Sequence, residues 1–128
     1  MTKHSRQRDA VYDNLCLRKD HPTAEEIYLS LKPILPTLSL ATVYRNLSML
    51  EDEGKIIRIG SGGTARYDAD MSEHQHLLCE KCGKVFDIMI KCDGIIDKGA
   101  EKFNGKIDSY SVLYKGCCSD CLGKTNNI

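Results

Sequence analysis

The sequence predicts an α+β chain in two parts: a helical N-terminal part closed by a glycine-tipped hairpin, then short strands around one helix. Three observations carry this. Apolar residues recur three and four apart through roughly the first fifty residues, the spacing of helix faces. Apolar and charged residues then alternate on either side of Gly60-Ser61-Gly62-Gly63, as in a hairpin. Beyond residue 74 two Cys-x-x-Cys pairs bracket strand-like segments. The change of character divides residues 1–70 from residues 71–128.

The first helix is expected over about residues 5–17, with Ala10, Val11, Leu15 and Cys16 on its apolar side. The second begins after Thr23, whose hydroxyl caps it while Glu26 reaches back, and it turns Ile27, Tyr28 and Leu31 inward. Pro33 and Pro36 end it or separate it from the next helix. Ser39 and Gly54 frame that third helix, in which Leu40, Val43, Leu47 and Leu50 repeat at helical spacing. Its other side offers Thr42, Arg45, Asn46 and Ser48. In KIIRIGSGGTARYDAD, Ile57 and Ile59 alternate with Arg58 ahead of the flexible tip. Helices followed by a basic hairpin is the order of a winged helix-turn-helix module.

Such a module places a helix in the major groove, where Arg, Asn, Ser and Thr meet bases or phosphates. Candidate DNA contacts are Thr42, Tyr44, Arg45 and Asn46 on the third helix and Arg58 on the wing, with Arg66 on the returning arm. The same pattern also suits a small helical domain with a charged surface. Lys3, Arg6, Arg8, Arg18 and Lys19 against Asp9 and Asp13 allow a positive face at the N-terminus. Over the 128 residues, however, 18 Lys and Arg balance 18 Asp and Glu, which excludes a polybasic arm or acidic tail. With 41% hydrophobic and 28% charged residues the composition is that of a folded chain. No apolar run approaches the roughly 18 residues of a membrane span, and MTKHSRQRDAVY lacks a signal core, so a cytoplasmic protein is expected.

Seven cysteines without a secretion signal point to metal or redox chemistry rather than disulfides. Cys79, Cys82, Cys118 and Cys121 form two matched pairs that suit a structural zinc ion, a closed shell of four sulfurs. A redox dithiol, buried free thiols or an iron–sulfur cluster are the other readings, and Cys117 could stand in for Cys118. Cys16 is expected to be a small buried helix residue, and Cys92 has no role. A second set is harder: His74 and His76 share one side of an extended segment, with Asp68 and Asp87 flanking. Imidazoles with carboxylates suit divalent iron, manganese or zinc, and exposed polar residues are the alternative. Periodicity assigns nothing to His21.

HPTAEEIY, SLATVYRNLSMLEDEGKI, RYD, HQHLLCEKCGKVFD and the terminal Cys-x-x-Cys, in that order, resemble the ferric uptake regulator family of metal-dependent bacterial repressors. The resemblance implies a winged-helix DNA-binding domain (residues 1–70) joined to an αβ dimerisation and metal-binding domain (residues 71–128). It implies a homodimer on double-stranded operator DNA, with neither enzymatic turnover nor an organic substrate. Structural zinc ligands would be Cys79, Cys82, Cys118 and Cys121; ligands of regulatory iron or manganese would be His21, Asp68, His74, His76 and Asp87. In the peroxide-responsive branch, iron-bound peroxide oxidises the histidines matching His21 and His74. Two features resemble that branch: an aspartate at 68 where iron-uptake members usually have glutamate, and no histidine in GKIDSYSVLYKG. The alternative is an uptake repressor sensing the concentration of iron, manganese or zinc.

Overall fold

The computed structural model describes residues 3–125, which divide into two compact units between Ser72 and Glu73. The first comprises helices α1 (Lys3–Cys16), α2 (Ala24–Leu31) and α3 (Leu40–Asp52), then strands β1 (Ile57–Ile59) and β2 (Arg66–Asp68). The strands pair antiparallel with Ile57 opposite Asp68, and a short 3-10 turn, Gly62–Thr64, makes the wing tip.

Local chemistry sets the helix limits. Thr23 accepts the Glu26 backbone N–H at 3.1 Å, and its hydroxyl donates to the Glu26 carboxylate at 3.3 Å. Ser39 likewise accepts the Thr42 N–H at 3.1 Å. Gly54, at φ +73°, follows the C-cap of α3 in the left-handed conformation that a β-carbon disfavours. Between these ends the apolar stripes meet: Val11 and Leu15 of α1, Ile27 and Leu31 of α2, and Val43, Leu47 and Leu50 of α3 are buried with Leu38, Ile56, Ala65 and Tyr67.

Two expectations fail in this unit. Cys16 is exposed, because at about 100° per residue it lies about 140° around the helix from Val11 and 100° from Leu15, outside the stripe those two define. Asn46 lies on the inner side of α3, 6% exposed, because it neighbours Val43, Leu47 and Leu50 on the buried stripe; its Nδ2 has no hydrogen-bond partner. It is therefore not on the polar face proposed for DNA.

The second unit is a sheet of three strands in the order β4-β3-β5, with β3 (Gln75–Cys79) central, β4 (Val85–Ile88) antiparallel to it and β5 (Leu113–Gly116) parallel. Helix α4 (Ile95–Glu101) lies between β4 and β5 in the chain, and a second helix, α5 (Ser119–Thr125), ends the described residues. The expectation of one helix is thus corrected to two: in α5 the apolar residues are Cys121 and Leu122, side by side, which give no helical spacing, whereas α4 has Ile96 and Ala100 four apart. Among the described residues, no helix is long and apolar enough to cross a membrane.

Candidate metal centres

The tight turn after β3 carries Cys82, the junction of β5 and α5 carries Cys118, and the first turn of α5 carries Cys121. Parallel pairing of β3 with β5, with Cys79 in register with Gly116, brings the two cysteine pairs to one end of the sheet. The four sulfurs lie within 4.8 Å of one another, with Cys82 Sγ 3.9 Å from Cys118 Sγ. The backbone N–H groups of Cys118 and Cys82, each 3.4 Å from Cys79 Sγ, hold that thiol down at about 5. Its neighbour Cys121 is pushed up to about 12, first by its hydrogen bond with Cys118 and then by burial. Four soft donors at this spacing fit a tetrahedral zinc ion, whose charge would take the place of the shared protons. Cys117 is not one of the four: its Sγ donates to the Cys118 carbonyl at 3.6 Å, and burial pushes its thiol up.

The harder donors form a set in each unit. In the second unit His74 precedes β3 and His76 lies within it, so both project to one side, their rings edge-on with centroids 4.5 Å apart. Antiparallel register sets Asp87 opposite His76. Asp87 Oδ1 lies 3.1 Å from His74 Nε2 and 3.4 Å from His76 Nε2. Both imidazoles are at most 8% exposed, so they are not solvated surface residues.

In the first unit His21 and Asp68 meet, Nε2 to Oδ2 at 3.3 Å, with side chains 4% and 8% exposed. Asp68 ends β2, and its Oδ1 also accepts the Asp70 N–H at 2.8 Å. His21 sits before Pro22 with φ +50°, the one described non-glycine residue with positive φ. Each set pairs buried imidazole with carboxylate, a combination chosen by iron, manganese or zinc rather than by copper(I).

The proposed DNA-facing residues are all on α3 and the wing. Arg45 is exposed and donates to the Thr42 hydroxyl at 3.1 Å; Tyr44 is half-buried. Arg58, 47% exposed, lies 3.5 Å from Glu51. The Arg66 side chain, by contrast, is only 15% exposed and is turned onto Glu26 at 3.3 Å and the His21 carbonyl at 3.0 Å, which corrects its expected place beside the groove. Nothing in the local sequence distinguishes the two arginines except strand parity: Arg66 shares a strand face with Asp68. Cys92 accepts a hydrogen bond from Gln75 Nε2 at 2.9 Å, while Tyr114 donates to Gln75 Oε1 at 2.6 Å and Tyr110 to Glu73 at 2.7 Å.

Residues 1–114 match the model of the ferric uptake regulator family. The chain belongs to this family. Among relatives in the family, the peroxide-responsive repressor PerR of Staphylococcus aureus is 32% identical over 120 residues, covering 92% of this chain and 81% of that protein. Of the solved structures, the Campylobacter jejuni peroxide stress regulator aligns with a TM-score of 0.78 and 31% identity, over 93% of this chain and 91% of that one. The Helicobacter pylori ferric uptake regulator Fur, described as having three functional metal binding sites, aligns with a TM-score of 0.73 and 28% identity, over 91% and 80%. The α+β order of a winged helix followed by a small αβ unit is therefore that of the ferric uptake regulator fold, and the chain is a metal-responsive regulator of that family.

Proposed function

We propose that the chain is a metal-dependent homodimeric transcriptional repressor of palindromic operator DNA that senses hydrogen peroxide by oxidation of its own histidines. The observation that carries this reading is the buried pairing of His21 with Asp68 in the first unit, matched by His74, His76 and Asp87 in the second. Two donors in one unit and three in the other are each an incomplete shell; sharing one ion completes it and couples the units. The resemblance to two peroxide regulators supports the oxidative version.

Cys79, Cys82, Cys118 and Cys121 hold zinc as a static brace in this reading. Phe86, Met89, Phe103 and Leu122, exposed on the second unit, supply apolar surface for a second copy. Thr42, Tyr44, Arg45 and Arg58 face the DNA. When His21, Asp68, His74, His76 and Asp87 engage one ion, the two α3 helices of a two-fold dimer keep the one-turn groove spacing that a palindrome requires. Ferrous iron, when bound, would lend the electrons that cleave hydrogen peroxide beside the imidazoles and regain them from the ring that is oxidised, whereas manganese would support the same closed form without that reaction. Net, one peroxide oxygen enters an imidazole carbon of His21 or His74 and the other leaves as water. The oxidised ring is a poorer donor, the units uncouple, and the cytoplasmic repressor releases its operator.

A second reading, a repressor sensing iron, manganese or zinc concentration, is supported by the resemblance to the H. pylori ferric uptake regulator. Peptide mass analysis after peroxide treatment separates the two. The iron-loaded dimer should gain one oxygen on His21 or His74 and lose its operator without recovery under thiol, while the manganese form keeps it. DNA release in both forms, with modification confined to cysteines and reversed by thiol, would sink histidine oxidation. If neither form responds and affinity follows free metal, the chain is the concentration sensor.

A further inference from the structure

β2 carries two functional side chains on one face. Residues two apart in a strand point the same way, so Arg66 and Asp68 face the His21 loop while Tyr67 between them enters the apolar core. That loop has an unfavourable shape. A residue before proline is kept from the right-handed helical region, and His21 takes the left-handed one, where its β-carbon crowds the carbonyl.

Three contacts hold the loop against β2. Arg66 Nη1 donates to the His21 carbonyl at 3.0 Å, the Tyr67 N–H donates to the Pro22 carbonyl at 3.0 Å, and Thr23 bridges to Arg66 in antiparallel fashion. Arg66 is itself oriented: Glu26 Oε1 lies 3.3 Å from the same Nη1, and the other Glu26 oxygen lies 3.6 Å from Arg18. Of these contacts only that of Arg66 grips the left-handed residue itself through a side chain, so only it can be removed by substitution without altering the backbone.

A guanidinium is an unexpected neighbour for a cation site, because its charge opposes the arriving ion. The contact to a carbonyl explains its presence by geometry rather than by charge. We propose that Arg66 is the positioning residue for the N-terminal half of the regulatory metal site, holding the His21 backbone so that Nε2 faces Asp68. The inference rests on reading His21 and Asp68 as ligands of that ion. It assigns Arg66 to metal affinity and takes it away from DNA contact.

The sign of the effect separates positioning from charge. Zinc-loaded full-length protein is titrated with manganese(II), the free ion being followed by its paramagnetic resonance signal, for the parent, Arg66→Ala, Arg66→Lys, His21→Ala and the Arg66→Ala/His21→Ala double variant. Residues that orient metal ligands cost about 10- to 100-fold in affinity when replaced. Arg66→Ala is expected to raise the Kd at least about tenfold, and Arg66→Lys, which keeps the charge but not the planar fork, to raise it nearly as much. In the His21→Ala background Arg66→Ala should change the Kd less than about twofold, since there is no ligand left to position.

Tighter or unchanged manganese binding by Arg66→Ala, beside a large loss in His21→Ala, overturns the positioning role and leaves the ligand reading intact. Equal weakening in both backgrounds also overturns it, because a general loss of structure would not need His21. A silent His21→Ala removes the ligand reading and the proposal with it. Zinc content and the apo melting curve, measured on each variant, should match the parent; should Arg66→Ala lose both, Arg66→Lys decides, weaker manganese binding with both retained supporting the proposal and parental binding overturning it.

Discussion

The two units solve the same problem of stability by different means. The N-terminal unit has a core of its own, in which Val11, Leu15, Ile27, Leu38, Val43 and Leu47 are at most 1% exposed. In the C-terminal unit the buried apolar residues among those described are Val85 and two cysteines of the thiol cluster, Cys79 and Cys118, while Phe86, Met89, Ile90, Phe103 and Leu122 are exposed. A half-chain of that size buries too little apolar surface to offset the entropy of ordering it. Its stability has to come from an ion, from a partner, or from both, and the four thiols and the uncovered apolar side chains are where these would act. The difference teaches that one chain can hold a helix pack stable by itself beside a sheet that depends on what it binds, which is a useful property in a metal-responsive regulator.

The largest test of this contrast removes the ion. Zinc binding is worth about 10 to 16 kcal/mol in zinc-finger peptides, as much as a whole small domain's stability of about 5 to 15 kcal/mol. Cys79→Ser, or a strong chelator, should therefore collapse the amide spectrum of residues 73–125 and dissociate the proposed dimer, while the amides of α1 to α3 stay dispersed. A C-terminal unit that keeps its protected amides without zinc would break the comparison.

The converse test leaves the ion and weakens the helix pack. Leu47 is fully buried, and truncating such a leucine costs about 2 to 5 kcal/mol. Leu47→Ala should lower the unfolding free energy of the three helices by that amount and release no zinc, as judged by denaturant titration and metal analysis. Loss of zinc together with the helices would mean that the units do not hold themselves separately.

The same contrast explains what could be read in advance. Where a unit is held by an apolar core, periodicity reports it: Thr23, Ser39, Gly54 and the stripes of α2 and α3 stand where spacing and capping chemistry set them. The helix errors are single residues at the margin of a stripe: Cys16 lies about 140° from Val11 and falls outside, while Asn46 lies about 60° from Val43 and falls inside. Where a unit is held by donors, ligand spacing reports it instead. Both Cys-x-x-Cys pairs and His74-x-His76 were legible because their geometry is local. α5 was not, since its apolar residues, Cys121 and Leu122, are adjacent and leave no period. Nor was the partnership of Arg66 with His21, 45 residues apart in the chain: His21 gains its meaning only when β2 returns beside it.

The smallest predicted effect asks whether charge contributes to the N-terminal unit at all. Arg18 grips Asp20 through Nε and Nη2, at 2.9 and 2.7 Å, just before His21. That hydrogen bond, the leading cause, holds the Asp20 carboxyl below its usual range although partial burial works the other way. A carboxyl with a depressed folded pKa contributes stability above its unfolded value, near 4, and loses that contribution as pH falls through the folded value. The Asp20 side chain is 55% exposed, so solvent and salt screen the pair, and such pairs are worth about 1 kcal/mol or less. Asp20→Asn should therefore lower the urea stability of the helices by under about 1 kcal/mol at neutral pH, and by progressively less as the pH falls through the folded value of the carboxyl. Helical circular dichroism is the appropriate signal, because α1, α2 and α3 supply most of the helix, whereas zinc leaves its thiolates in acid and takes the second unit's order with it. A difference that persists in acid, or in strong salt, would show that a neutral hydrogen bond rather than an ion pair ties Asp20 to Arg18. No difference at any pH would show that the Arg18–Asp20 pair adds nothing to the apolar core of the N-terminal unit, which sharpens the contrast with the second unit and its thiol cluster.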